Sequence, residues 1–182
     1  MDSIHGSLVV LRPAKPDDRQ QIFEWLTMSD ITSRMIGPPL FADNPIPSWE
    51  EFQKDYHNDY FNDDNPDNGR SYVIHLNENP IGHINYNPID RETNSTELDI
   101  WMSSIRFCNK GYGTDAILAL CNHLSSQLRC QRFLLAPSER NAWAIKAYQK
   151  CGFEISNEHI KNFIPDYYDA VVMIKTLRRS EK

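Results

Sequence analysis

Residues 96–102 alternate polar and apolar side chains as a strand does, and Ile117, Leu120, Cys121, Leu124 and Leu128 recur at helical spacing. Between these two stretches lies a glycine-punctuated loop, Asn109-Lys110-Gly111-Tyr112-Gly113-Thr114. Phe133-Leu134-Leu135-Ala136 then reads as another strand. A strand, a helix and a further strand in that order favour a parallel crossover, which places the chain in the α/β class. The glycines let the backbone turn tightly, so that several N–H groups converge at a helix N-terminus and can hold a pyrophosphate. Each hydrogen bond to a charged oxygen is worth about 1.5–3 kcal/mol, enough for a few of them to anchor a diphosphate. The loop is not a P-loop, which needs Gly-Lys-Ser/Thr, nor a dinucleotide fingerprint, which needs a third glycine.

The rest of the chain surrounds that unit with strands and helices. Residues 7–13 are β-rich and end at Pro13. Asp17 and Asp18 open a helix with the apolar stripe Ile22, Phe23, Trp25 and Leu26. Four prolines and one glycine make residues 37–47 a loop. Ser48 and Glu51 form a capping-box pattern for a helix expected to run toward Tyr60 or Phe61. Strands at 70–76, 81–87 and 96–102 follow, the first two joined by the turn 77–80, and an antiparallel meander is expected. Residues 142–150 form a helix stopped by Gly152, and 170–176 a last strand; the charged tail 178–182 is expected to fray.

At 182 residues one domain, 1–182, is expected, with no apolar run of the roughly 18–20 residues needed to span a bilayer. The N-terminal residues show no secretory pattern, so a cytoplasmic location is expected. Cys108, Cys121, Cys130 and Cys151 lack C-x-x-C spacing and read as reduced. His57, His75, His83, His123 and His159 lack metal-ligand spacing, so no metal is expected. The net charge of −6 argues against a nucleic-acid partner and for a cationic one. Residues 55–67 hold five aspartates and no lysine or arginine; the first reading is a solvated loop, the second a patch that steers a cationic acceptor.

Asn141 stands where a loop enters a helix, and Tyr148, seven residues on, shares its helical face with Ala144 between them. The helix thus offers an amide and a phenol to one groove. The pattern Asn-x-x-Ala-x-x-x-Tyr-x-x-x-Gly-Phe, met by Asn141, Ala144, Tyr148, Gly152 and Phe153, together with Gly111 and Gly113, resembles the GNAT superfamily of N-acetyltransferases over residues 7–176. Its loop pattern begins with Arg or Gln, where this chain has Cys108. The resemblance implies a single domain with a central mixed, mostly antiparallel sheet of about seven strands and helices on both faces. Its fourth and fifth strands splay to admit the pantetheine arm of acetyl-CoA, the co-substrate. Asn109, Lys110, Gly111, Tyr112, Gly113 and Thr114 would bind the phosphates, Asn141 and Ala144 would line the arm, and Tyr148 would protonate the leaving thiolate. A backbone N–H of the fourth strand would meet the oxyanion.

Alternation in Glu97-Leu98-Asp99-Ile100-Trp101-Met102 puts Glu97, Asp99 and Trp101 on one face. In the superfamily an acid on this strand often serves as the base or holds a water that does. A primary amine of pKa about 10.4 is neutral in only about one molecule in a thousand near pH 7.4, so its proton must be removed before attack. Asp99 is the first candidate and Glu97 the second. Leu11-Arg12-Pro13 with Glu24-Trp25-Leu26 is similar to the aminoglycoside 6'-N-acetyltransferase branch, and Lys110–Thr114 to the ribosomal-protein N-terminal acetyltransferases. The expected acceptor is therefore a cationic small molecule such as an aminoglycoside. The alternatives are a peptide N-terminus or a CoA-binding module without catalysis, in a monomer or homodimer with no nucleic-acid or membrane partner.

Overall fold

The computed structural model describes residues 2–161 and 163–177, and the tail expected to fray lies outside them. The strands are β1 (Ile4–His5), β2 (Val10–Pro13), β3 (Arg70–Leu76), β4 (Asn79–Tyr86), β5 (Ser95–Met102), β6 (Arg132–Leu135), β7 (Glu154–Ile155) and β8 (Met173–Thr176). The helices are α1 (Arg19–Thr27), α2 (Trp49–Asp55), α3 (Tyr112–Gln127) and α4 (Ala142–Lys150). One eight-stranded sheet runs in the order β1-β2-β3-β4-β5-β6-β8-β7. Every pairing is antiparallel except β5 with β6, which is the expected parallel crossover through α3. The expected count was about seven. β1 pairs only two residues with β2, too few to leave an alternation signal, and it makes the splayed pair β5 and β6.

Strand alternation divides the interior. Tyr72, Ile74, Ile84, Tyr86, Leu98 and Met102 face Ala116, Ile117, Leu120 and Leu124 of α3. On the opposite face Val73 and Trp101 pack with Ile22 and Phe23 of α1 and Phe52 of α2. α3 covers one sheet face and α1 with α2 the other, each with its apolar stripe, which is how a two-sided sheet removes its side chains from water.

Asp17 and Asp18 open the first helical stretch as expected: a 3-10 turn, Pro16–Asp18, runs directly into α1 at Arg19, with the Asp18 carboxylate accepting from the Lys15 N–H and from the Arg12 guanidinium at 2.8 and 2.9 Å. Two element ends differ from expectation. α2 keeps its capping box but stops at Asp55, where Tyr56 leaves the helical region at φ −99°, ψ 66°. That exit turns the Tyr56 ring inward, stacked on Phe52 at 4.6 Å and edge-on to Trp101 at 5.8 Å; Asn58–Phe61 then forms a separate 3-10 turn. β8 starts at Met173 because Ala170 and Val171 pair instead with Ser138 and Pro137 of the loop before α4.

One acid ties the N-terminal strands to the glycine loop. Asp115, in the first turn of α3, accepts the N–H groups of Ser7, Leu8 and Val9 at 2.9, 2.7 and 3.0 Å. A Cβ on Gly6 would lie 2.2 Å from the same carboxylate, so the approach requires glycine there. Replacing Asp115 with Ala removes the acceptor and leaves three N–H groups to water. Urea denaturation is expected to show a loss of about 1–2 kcal/mol in unfolding free energy, discounted for the exposure of these bonds.

Candidate functional site

β5 and β6 pair only from Ser95–Glu97 to Arg132–Leu134 and then part, while β4 stays paired with β5 as far as Met102. The Glu97 carbonyl accepts from the Asn87 N–H and the Ser103 N–H donates to the Ile81 carbonyl, each at 2.9 Å. Odd-numbered residues of β5 therefore bond to β4, and Ile100 and Met102 turn their backbone groups the other way, into the opening. α4 closes the far side with Asn141, Ala144 and Tyr148.

One cavity, of about 560 Å³, runs from this opening to the glycine loop. Asn109 and Gly111 both take left-handed backbone conformations, at φ 57° and 86°. Gly111 stands at the N-cap of α3 and offers no side-chain cap, whereas Ser48 and Asn141 cap α2 and α4. The N–H groups of the first turn of α3 thus have no intrahelical acceptor. Asn109, Gly111, Gly113 and Thr114 line the cavity, and a Cβ on Gly113 would reach to 3.6 Å from Ile100 Cδ1. Lys110 is exposed and outside the lining, and the Tyr112 ring packs on the core. The positive charge comes from elsewhere. Arg34, Lys146 and Lys150 line the cavity, with the Arg34 guanidinium 4.3 Å above the Trp143 ring. The spacing of Lys146 and Lys150, one helical turn apart, was the available sequence signal for them.

A second cavity, of about 260 Å³, lies on the other side of Tyr148. Asp55, Glu97, Asp99 and Asp166 line it with Tyr56 and Tyr167, and among the described residues no lysine or arginine does. The two cavities share Met35, Ile100, Trp101, Asn141, Ala144 and Tyr148. The structure therefore brings Glu97, Asp99, Tyr148, Asn141 and Ala144 to one place, with the glycine loop at the far end of the larger cavity.

The acids sit on a polar ladder that alternation along β4 and β5 builds beneath α2. Asn85 Nδ2 donates to Asp99 Oδ2 at 3.0 Å, and Asn87 Nδ2 donates to Asp99 Oδ2 at 3.1 Å and to Glu97 Oε2 at 3.3 Å. Burial, followed by the charge of Asp99, pushes the Glu97 carboxyl well above the ordinary range. Burial also raises Asp99, while the bond from Asn85 opposes the rise. Burial raises the Tyr148 phenol, as does the field of Asp99, so it holds its proton at neutral pH. Farther along the ladder His83 bonds Ser71 at 3.1 Å and is pushed down to about 3 by burial, so it stays neutral. The Asn141 Oδ1 caps its own helix through the Ala144 N–H at 3.1 Å, which leaves the donor end of its amide for a ligand.

Of the five aspartates in the stretch 55–67, only Asp55 lines the smaller cavity. Asp59 accepts from Asn68, Asp63 pairs with Arg70 and Asp67 with Arg91, so these carboxylates organise their own loop. Sequence reasoning missed Asn85, Asn87, Asp166 and Arg140. Arg140 bonds Asp43 at 2.7 and 2.9 Å and Asp169 at 2.7 and 3.0 Å, clasping the loops 37–47 and 163–170 over the smaller cavity.

The opened sheet thus brings a cavity lined by Arg34, Lys146 and Lys150 and a cavity lined by Asp55, Glu97, Asp99 and Asp166 together at the Tyr148 phenol. The chain belongs to the GNAT acetyltransferase family: residues 9–154 match the Acetyltransferase (GNAT) domain. It is 32% identical over 88 residues to the spermine/spermidine N(1)-acetyltransferase of Bacillus subtilis (strain 168), which is 48% of this chain and 54% of that protein. It thus spans about half the length of the curated relatives it matches. Among solved structures, aminoglycoside acetyltransferase AAC(6')-Ib in complex with coenzyme A superposes with a TM-score of 0.71 at 23% identity, covering 92% of this chain and 94% of that one. Spermidine N-acetyltransferase from Vibrio cholerae in complex with CoA and spermine gives 0.66 at 19% identity, covering 92% and 94%. Among the described residues no helix is long and apolar enough to cross a membrane.

The raised Glu97 carboxyl has a consequence for stability. Between the ordinary glutamate range and its higher folded value, the unfolded chain is ionised while the folded chain holds the proton. Wild-type stability therefore falls as pH rises through that window. Glu97→Gln removes the penalty. Its unfolding free energy is expected to exceed the wild type's by an amount that grows by up to about 1.4 kcal/mol per pH unit, read from urea titrations at pH 5 and pH 8.

Proposed function

We propose that the chain is an acetyl-CoA-dependent N-acetyltransferase acting on a primary amine of a small polycationic acceptor, the class to which aminoglycosides and linear polyamines belong. The observation that carries the reading is the opposite charge of the two cavities that meet at Tyr148: around one, Arg34, Lys146 and Lys150 outnumber Asp115, whose carboxylate is taken up by the Ser7, Leu8 and Val9 N–H groups, and around the other stand Asp55, Glu97, Asp99 and Asp166. The names of the relatives support both kinds of acceptor. A cavity of about 260 Å³ roofed by two clasped loops favours a small amine over a folded peptide.

The larger cavity suits an anionic substrate with an apolar arm. The uncapped N–H groups at Gly111–Thr114 would hold its phosphates, Arg34, Lys146 and Lys150 would balance its charge, and the Asn141 amide would donate to the arm. Acetyl-CoA supplies the thioester. Asp99 takes one proton from the acceptor ammonium, the freed amine attacks the acetyl carbonyl directly, and the backbone N–H of Ile100 or Met102 steadies its oxygen. Tyr148 gives its proton to the departing sulfur and regains one from the acetylated nitrogen. Retention of Tyr148 beside Asp99 speaks for catalysis and against a binding-only module.

The direct test is CoA release with aminoglycosides, polyamines and N-terminal peptides as acceptors. Turnover is expected with the polycations; turnover confined to peptides would move the assignment to N-terminal acetylation. With the best acceptor, Asp55→Asn combined with Asp166→Asn is expected to raise KM. The increase should shrink as added salt shortens a Debye length of about 8–10 Å.

The roles along the larger cavity separate by variant. Tyr148→Phe is expected to keep acetyl-CoA affinity and lower turnover by about 10²–10⁴, the usual contribution of a positioned proton donor. Gly111→Val, which a φ of 86° disfavours, is expected to weaken acetyl-CoA binding in calorimetry while the fold persists.

A further inference from the structure

Glu97 and Asp99 lie on the same face of β5, and chemistry that needs one base has two carboxyls to draw on. The side chains around them are not symmetrical. Asn87 Oδ1 accepts from the Tyr60 hydroxyl at 2.8 Å and from Asn85 Nδ2 at 2.9 Å. Two donors on the oxygen fix the amide with its nitrogen toward the acids. The flipped amide would set its oxygen against the Asp99 carboxylate and its nitrogen against Asn85 Nδ2. Asp99 Oδ2 then receives two amide donors, at 3.0 and 3.1 Å, and Glu97 receives one, at 3.3 Å.

We propose that Asn87, held in place by Tyr60 and Asn85, is a positioning residue that selects the base: it keeps Asp99 as the carboxylate and leaves Glu97 as the carboxylic acid. Donors aimed at a buried carboxylate stabilise its ionised form, and the acid with more of them ionises first. Once Asp99 is charged, its field discourages ionisation of Glu97, so the protons leave in two steps with a fixed order. The neighbours from the other packed elements reinforce the field without reversing the order. Asp55 and Tyr56 at the end of α2, Tyr148 of α4, and Asp166 and Tyr167 of the segment 163–170 supply acids and phenols, with no lysine or arginine among the lining residues. One ammonium then meets one carboxylate at Asp99, which takes its proton, while the Glu97 carboxyl stays neutral beside it. The role assigned to Asp99 in acetyl transfer rests on the activity proposed above; the ordering of the two acids does not.

The test follows the carboxyl carbons of Asp99 and Glu97 by 13C NMR in the full chain without ligands, assigned through Asp99→Asn and Glu97→Gln. Asp99 is expected to titrate at lower pH, with Glu97 still protonated near neutrality; Glu97 ionising first overturns the proposal. Asn87→Leu keeps the volume and deletes the donors, and is expected to raise the Asp99 midpoint by about one pH unit, with the acidic limb of kcat/KM moving equally. Tyr60→Phe, which keeps the ring and frees the Asn87 amide, is expected to move both in the same direction by a smaller amount. An Asp99 midpoint that stays in place in either folded variant also overturns it. The spectra need no acceptor, so a protein that acetylates no amine would refute the proposed activity while the ordering is still decided by the carboxyl titrations.

Discussion

The parting of β5 from β6 beyond Glu97 and Leu134 is the constraint on which the rest depends. A continuous parallel pair would have consumed the backbone groups of Ile100 and Met102 and closed the opening that both cavities share. The strands part because different neighbours hold them. β5 follows β4 over five registered pairs up to Met102, whereas β6 follows β8 over four and gives way at Ala136 to the loop that carries Ser138, Arg140 and Asn141. That loop is tied to the segment 163–170 by Ser138 and Arg140, both bonded to Asp169. The helix bearing Asn141 and Tyr148 is thereby set across the opening rather than over the sheet.

Charge is then sorted by which face of the sheet a residue serves. The face toward α3 is apolar up to the point where the uncapped turn at Gly111 begins, and the cations around that cavity come from α4 and the turn ending at Arg34. The face toward α2 carries a line of polar groups, Ser71, His83, Asn85 and Asp99, inside an aromatic enclosure of Phe52, Tyr56, Tyr60 and Trp101. Burying carboxyls in such a place opposes folding unless donors reach them, and the asparagines of β4 supply those donors within the strand pairing itself. The polar ladder and the larger apolar core thus lie on opposite faces by the same alternation, with the smaller apolar cluster of α1 and α2 enclosing the ladder.

Much of this was legible in the residues. Gly111 and Gly113 before a helical stripe, and Asn141 seven residues before Tyr148, report local geometry, and local spacing is what a sequence preserves. Glu97 and Asp99 were legible for the same reason, since strand alternation alone sets them on one side with Trp101. Asn85 and Asn87 obey that alternation too, but their meaning depends on the β4–β5 register, which no single strand reveals. Asp166 and the Arg140 clasp were out of reach because they join segments far apart in the chain. The acidic run 55–67 left two readings open, a solvated loop first and a steering patch second, because charge density alone does not say which carboxylates have partners: Asp59, Asp63 and Asp67 are engaged by Asn68, Arg70 and Arg91.

Arg140 connects the two cavities in a way that neither explains alone. Its guanidinium draws Asp43 and Asp169 together and lies 4.6 Å from the Phe41 ring and 5.1 Å from the Tyr168 ring, so one side chain fixes both loops roofing the acid-lined cavity. Its backbone immediately precedes Asn141, whose side chain caps α4 and lines both cavities. A shift of either loop would therefore pull on the start of α4 and on Tyr148, seven residues beyond Asn141. The two loops beside the acid-lined cavity and the helix that sets Tyr148 between the cavities are thereby mechanically joined at Arg140.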